Sequence, residues 1–146
     1  MKKILSNHLV GIIPLLLCIA IITIGFLSME SNAKLQGNAR IINYTGIIRG
    51  ATQRLIKQEL NHEPNDALID ELDRTLHGLL SGDEDAHITR LDQMEYQGLL
   101  AEMEKEWADI KKEISQYRSS GDNKNRLYAL SEQYFAKADE AVDIAE

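Results

Sequence analysis

The sequence contains little of what catalytic sites and disulfide-bonded domains are built from. Cys18 is its single cysteine, which excludes a disulfide framework. It has two prolines, 5% aromatic residues and none of the apolar alternation typical of strands, so helices are predicted. It has no nucleophile motif, glycine-rich phosphate loop or closely spaced histidine pair, so neither an enzyme nor a cofactor or metal site is predicted.

One long apolar run lies near the N-terminus, where Val10–Met29 has 20 positions without a charge. At about 1.5 Å per residue, a helix of that length spans about 30 Å, the thickness of a bilayer core. Lys2 and Lys3 precede the run, which predicts a cytoplasmic segment at 1–9, a transmembrane anchor at 10–29 and export of the remainder. A signal peptide cleaved near Ser31–Ala33 is the alternative, and it also exports the remainder.

Beyond the anchor, residues 30–146 are predicted to form an all-α, antiparallel up-down four-helix bundle. The first helix continues from the anchor to about Leu60, and the second runs from about Pro64 to Leu80. The third has a heptad-like apolar seam, at spacings of four and three: Tyr96, Leu100, Met103, Trp107, Ile110, Ile114 and Tyr117. The fourth places another apolar stripe inward: Leu127, Leu130, Tyr134, Ala138, Ala141 and Ala145.

A helix-length part of this acidic chain carries only positive charge. From Ser28 onward, 14 Lys and Arg are outnumbered by 23 Asp and Glu, yet residues 31–58 contain five cations and no acid. Because an acidic domain repels polyanions, nucleic acid is not a predicted partner. The basic segment is therefore expected to serve a smaller ligand.

This basic helix has two semi-apolar faces, about 100° apart on a helical wheel. The first face consists of Ile41, Thr45, Ile48, Thr52 and Leu55. The second consists of Ile42, Gly46, Arg49, Gln53, Ile56 and Leu60. A single bundle needs only one apolar face per helix, so the second predicts a partner helix, most simply from another copy in a homodimer. Gly46 and Gly50 would let two such helices approach closely.

The segment Asn38–Leu55, with the pattern N-A-x-x-I-N-x-T-G-x-x-R-x-x-x-Q-R-L, resembles the first-helix segment of PilJ-type sensor domains, called the P-box in nitrate- and nitrite-responsive sensor kinases. Residues that match the family pattern are Asn43, Gly46, Arg49 and Arg54, with Gln53 a looser match. The resemblance implies a membrane-anchored periplasmic or extracellular sensor domain. In a longer receptor a second span would follow, with a histidine kinase, chemotaxis transducer or diguanylate cyclase as output.

The resemblance also implies a ligand site. In nitrate-binding members, the arginine at the position of Arg49 meets its counterpart across the dimer and holds the anion. Gln53 and Thr45 lie near enough on the helix to add neutral donors. Gly46, Asn43 and Arg54 are the other candidate ligand residues. Arg54 lies about 140° around the helix from Arg49, so a contact with an acid such as Glu59, or with one on another helix, is the alternative for it.

The sequence thus predicts the sensor module of a bacterial transmembrane receptor that binds a small anion such as nitrate or nitrite. The family commonly has methionine where this chain has Gly50, so the type of domain is predicted more specifically than the ligand. The competing hypothesis is a membrane-anchored helical adhesion or assembly protein without a small ligand. Because the chain stops at Glu146 inside the predicted fourth helix, a fragment of a longer receptor or a truncated protein is expected.

Overall fold

The computed structural model describes residues 2–146, with side chains described from Ile12 onward except at Ala33, and it contains four helices. Helix α1 spans Lys2–Leu60, α2 spans Asp66–Ser81, α3 spans Met94–Ser120 and α4 spans Lys124–Ala145. Residues 2–146 contain no β-strand beyond one isolated bridge in the loop after α2. The predicted all-α class is confirmed.

The chain divides into two compact units, Met1–Gln36 and Gly37–Glu146. In the first unit, the side chains of the apolar run from Ile12 to Met29 are all exposed. Exposed side chains of this kind need apolar surroundings, and among the described residues α1 is the one helix whose length and composition suit a membrane span. A signal sequence near the N-terminus can also be long and apolar enough to meet this description, so the anchor at 10–29 and the sensor domain at 30–146 stay predictions.

The core of the second unit is built from one stripe of each helix. All seven members of the α3 seam are buried, and so is the whole first face of α1, which confirms both predictions. The α4 stripe is buried too, except that Leu130 is only half-buried. Each fully buried large apolar side chain stabilises the bundle by about 1.5–3 kcal/mol, so these stripes decide which face of each helix points inward.

The relative direction of two helices follows from two contacts between them at different positions along their length. The α1 pairs are Thr45 with Tyr96 and Glu59 with Arg118 toward α3, and Arg49 with Asp139 and Gln53 with Ser131 toward α4. The α3 pairs are Glu102 with Lys137 and Glu113 with Arg126 toward α4, and Gln97 with Leu79 and Lys111 with Asp73 toward α2. In the second unit, α1 therefore runs parallel to α3 and antiparallel to α4, and the predicted up-down order is confirmed.

The start of α2 differs from the prediction, which placed it at about Pro64. Asn65 is the N-cap, because its side-chain oxygen accepts a hydrogen bond of 3.0 Å from the backbone N–H of Leu68. Pro64 therefore precedes the cap, and the helix begins at Asp66. The turn between α3 and α4 uses Gly121, whose left-handed φ of 72° suits a residue without a side chain.

Candidate functional site

Arg49 lies on α1 beside the core stripe, at the edge nearest α4. Its Nη1 donates a hydrogen bond to Oδ1 of Asp139, and its guanidinium lies over the ring of Phe135, 5.6 Å from the centroid. The Arg49 side chain is 37% exposed and that of Asp139 is 50% exposed. A guanidinium carries five N–H donors, and the bond to Asp139 uses one of them. Arg49 is therefore held against α4 with donors left for a further acceptor.

Gln53 lies one turn further along the same edge of α1. Its Nε2 donates to the backbone oxygen of Ser131 and to Oε1 of Glu132, at 3.3 Å each. The second semi-apolar face was predicted to need a partner helix from another copy. Arg49 and Gln53 of that face have polar partners on α4 of the same chain, and a contact with another copy stays a prediction.

Next to Arg49, the surface of α1 is open at its two glycines. A Cβ built at Gly46 or Gly50 meets no atom within 4 Å outside the adjacent backbone of its own helix. Asn43 and Gly50 are exposed, and Ile47 between the two glycines is 37% exposed. The structure therefore brings Asn43, Gly46 and Gly50 together on one uncovered face, with Arg49 at its margin.

Thr45 does not lie beside Arg49 at the surface, where a ligand residue was predicted. It is fully buried, its Oγ1 donates to the Ile41 carbonyl at 2.8 Å, and the Tyr96 hydroxyl lies 2.7 Å from the same oxygen. Thr45 falls on the core side of Arg49 because a step of four residues turns a helix by about 40°. Burial raises the pKa of the Tyr96 phenol, and the hydrogen bond with Thr45 lowers it to a smaller extent. Thr45 is thus part of a buried polar contact between α1 and α3.

Arg54 is exposed on α1 and does not make the predicted contact with Glu59. Glu59 is instead bound by Arg118 of α3, whose Nε and Nη2 donate at 2.8 and 2.6 Å. Within the part of the chain whose side chains are described, Arg54 has no ion pair. Together with Lys57, which is also exposed, Arg54 adds positive charge to the uncovered face of α1.

Sequence reasoning missed Phe135 and Asp139, the two α4 residues that hold Arg49. They are four residues apart and therefore lie on one side of α4, next to the buried stripe that includes Ala138. The spacing of four could have indicated that the two side chains lie on one side of α4. It does not indicate which α1 residue they contact. No group of three or more His, Cys, Asp or Glu residues placed to hold a metal ion occurs among the described side chains.

Comparisons with known proteins give a family for the chain and a solved structure with a similar fold. Residues 31–132 match the family model described as PilJ, type IV pili methyl-accepting chemotaxis transducer N-terminal. No curated protein matches the chain significantly. Among solved structures, the ligand-binding domain of the P. aeruginosa nitrate receptor McpN is similar, with a TM-score of 0.65 and 17% sequence identity over 72% of this chain and 92% of the McpN chain. At that identity, the likeness shows a shared fold.

Proposed function

Because the chain belongs to the PilJ family of type IV pili methyl-accepting chemotaxis transducer N-terminal domains, we propose that its helical bundle senses a small oxyanion through Arg49. The bundle is the sensor domain of a chemotaxis-transducer family, so its function is binding and signalling. In this proposal, α1 anchors the protein in the membrane, and Lys2 and Lys3 orient it so that the bundle lies in the periplasm or outside the cell.

The observation that carries the proposal is a guanidinium held at the margin of an uncovered helix face. Arg49 keeps 37% exposure while its guanidinium lies over the ring of Phe135, which holds it in place. A guanidinium can donate two parallel hydrogen bonds to a planar oxyanion, and such charge-assisted bonds are about twice as strong as neutral ones. Fixing the side chain beforehand lowers the entropy lost on binding.

The proposal includes a homodimer formed through α1. The open surface over Gly46 and Gly50 would let the same helix of a second copy approach closely. A two-fold contact near these glycines would bring the two Arg49 side chains together, where their like charges repel. An anion between them would offset that repulsion, with Asn43 and Gln53 as neutral groups at its edge.

Nitrate is the first ligand to test, since the similar McpN structure is that of a nitrate receptor. The full chain in detergent micelles would be unfolded thermally in sodium nitrate, and in sodium fluoride at equal ionic strength. Ligand at about 100 times its dissociation constant stabilises the folded state by about 2.7 kcal/mol. We expect nitrate, or nitrite in a parallel series, to raise the unfolding midpoint.

Two arginine variants make the test specific. Arg49→Ala should abolish the stabilisation by the anion. Arg40→Ala should keep it, because Arg40 is an exposed arginine of the same helix and its loss changes the net charge equally. If nitrate, nitrite, small carboxylates and chloride all stabilise the wild type no more than Arg49→Ala, the proposal fails. A ligand-free assembly protein would then be the better description.

A further inference from the structure

The contact between α1 and α4 depends on the residue proposed to bind the anion. Among the described side chains, the polar bonds that join these two helices are those of Arg49 with Asp139 and of Gln53 with Ser131 and Glu132. The Gln53 bonds are long, at 3.3 Å each, and involve a neutral donor. The ion pair between Arg49 and Asp139 is therefore the main polar link between α1 and α4.

An oxyanion at Arg49 would meet the Asp139 carboxylate at the same guanidinium. One guanidinium carries one positive charge, so two negative groups beside it repel each other while they share its attraction. The two side chains are 37% and 50% exposed, so a small anion can reach the pair from solvent. The carboxylate is bonded through Nη1 alone, whereas an oxyanion can accept two parallel bonds from the fork.

We propose that the Asp139 carboxylate competes with the anion for the Arg49 guanidinium: it accepts a hydrogen bond from Arg49 before the anion binds and loses that bond when the anion binds. This inference rests on the proposed anion site at Arg49. Phe135 stays beneath the guanidinium in either state, so Arg49 keeps its place while it exchanges one negative partner for another. Anion binding then removes the main polar link between α1 and α4.

The exchange has two consequences. Asp139 lowers the affinity of the site, because its carboxylate competes with the anion for the single positive charge of Arg49. It also couples occupancy to the α1–α4 contact, and this coupling is reciprocal: a bundle whose link is already broken binds the anion more tightly. Asp139 is thus a residue that determines both sensitivity and response without being part of the ligand-binding fork itself.

The test is a nitrate titration of the full chain in micelles, at constant ionic strength, for wild type, Asp139→Asn and Asp143→Asn. Asp143 is a matched control, since it is an exposed aspartate one turn further along α4 and its substitution changes the net charge equally. Because partly exposed ion pairs are weak, we expect Asp139→Asn to tighten nitrate binding by about two- to five-fold. Asp143→Asn should tighten it by less than half as much.

Hydrogen exchange gives an independent measurement. Backbone amides of residues 135–141 should exchange faster in wild type when nitrate is added. In Asp139→Asn they should exchange at the faster rate already without nitrate. A general change of surface charge would affect Asp143→Asn in the same way. Faster exchange in Asp139→Asn alone therefore points to the bond with Arg49.

The possible outcomes separate this inference from the proposed function. Tighter binding to Asp139→Asn than to wild type supports the inference, even if wild type binds too weakly to measure. Binding that is lost in Arg49→Ala but unchanged or weaker in Asp139→Asn overturns the inference and leaves the anion site standing. Absence of nitrate binding in both wild type and Asp139→Asn overturns a nitrate site at Arg49, and the inference with it.

Discussion

Arg118 on α3 binds the carboxylate of Glu59 on α1 through two hydrogen bonds, from Nε to Oε2 at 2.8 Å and from Nη2 to Oε1 at 2.6 Å. The Glu59 side chain is 1% exposed, and the same guanidinium reaches Asp66, the first residue of α2, with Nη1 at 2.7 Å. One side chain therefore joins three helices. The hydrogen bonds to Glu59, and secondarily to Asp66, raise the pKa of Arg118 far above the ordinary arginine value.

Arg118→Met is expected to lower the free energy of unfolding by about 2–4 kcal/mol, because it leaves the Glu59 charge buried without its partner. Urea unfolding of the full chain measures this loss. Arg74→Met is the control: Arg74 is exposed and its side chain bonds only within α2, so a change within about 0.5 kcal/mol is expected.

Replacing both partners, as Glu59→Leu with Arg118→Met, should recover most of the loss, since no buried charge then remains. A loss for Arg118→Met no larger than that of Arg74→Met would show that Glu59 does not depend on this partner.

Two buried tyrosines predict a loss of stability at high pH. Burial raises the pKa of Tyr96 and of Tyr134 above the ordinary value of 10.0, and the negative charges of Glu106 and Asp73 raise that of Tyr134 further. Above about pH 10 the unfolded chain loses these protons while the folded chain keeps them, so the unfolded chain becomes favoured. The free energy of unfolding should be unaffected by these groups below that pH and fall above it, by up to about 1.4 kcal/mol per pH unit for each tyrosine.

Urea unfolding between about pH 8 and pH 11 measures this slope. The double variant Tyr96→Phe with Tyr134→Phe should have a shallower slope than wild type. Tyr128→Phe should keep the wild-type slope, because Tyr128 is 56% exposed. If Tyr128→Phe reduces the slope as much as the double variant does, burial of the Tyr96 and Tyr134 phenols is not the cause of the pH dependence.

Self-association through α1 can be tested at Gly46. A Cβ at this position meets no other atom of the chain within 4 Å, so we expect the bulk of a leucine to disrupt mainly a contact with another copy. We expect sedimentation of the full chain in micelles to show a dimer in wild type and mainly monomer in Gly46→Leu, with unchanged helix content.

The matched control is Gly98→Leu, which adds the same bulk at an α3 glycine that also has open space around it. It should leave the dimer intact. If Gly46→Leu is still a dimer, the interface does not lie on this face of α1.

Membrane topology can be tested with the native cysteine as an internal reference. Cys18 lies in the apolar run, where lipid should shield it from a water-soluble maleimide. In intact cells, an Asp122→Cys variant should react with an impermeant maleimide, because position 122 lies in the turn between α3 and α4, exposed and, as proposed, outside the cytoplasm. Reaction only after the cells are broken would place the bundle in the cytoplasm.

The helices and their inward faces could be predicted because they follow from local spacing. In α3 the apolar residues from Tyr96 to Tyr117 repeat at helical intervals, and burial of that stripe is favourable whichever helix it meets. The end of α1 near Leu60 was predictable for a similar reason, since Pro64 cannot extend a helix. These features need no knowledge of the partner helix.

The polar contacts could not be predicted, since they depend on how far one helix is shifted along another. Arg49 and Asp139 are 90 residues apart, and the apolar stripes of α1 and α4 do not set which exposed groups meet. Glu59 looks like an ordinary surface acid in the sequence, and only the height of Arg118 on α3 makes it a buried ion pair. For the site around Arg49, the sequence therefore predicted the α1 residues but not the α4 residues.

Isothermal titration of the full chain with sodium nitrate, at constant ionic strength, tests the central claim most directly. A site shared by two Arg49 side chains of a two-fold dimer predicts saturation at one nitrate for every two chains. The heat should disappear in Arg49→Ala and persist in Arg40→Ala. Saturation at one nitrate per chain, or equal binding by Arg49→Ala and wild type, would contradict a shared anion site on α1.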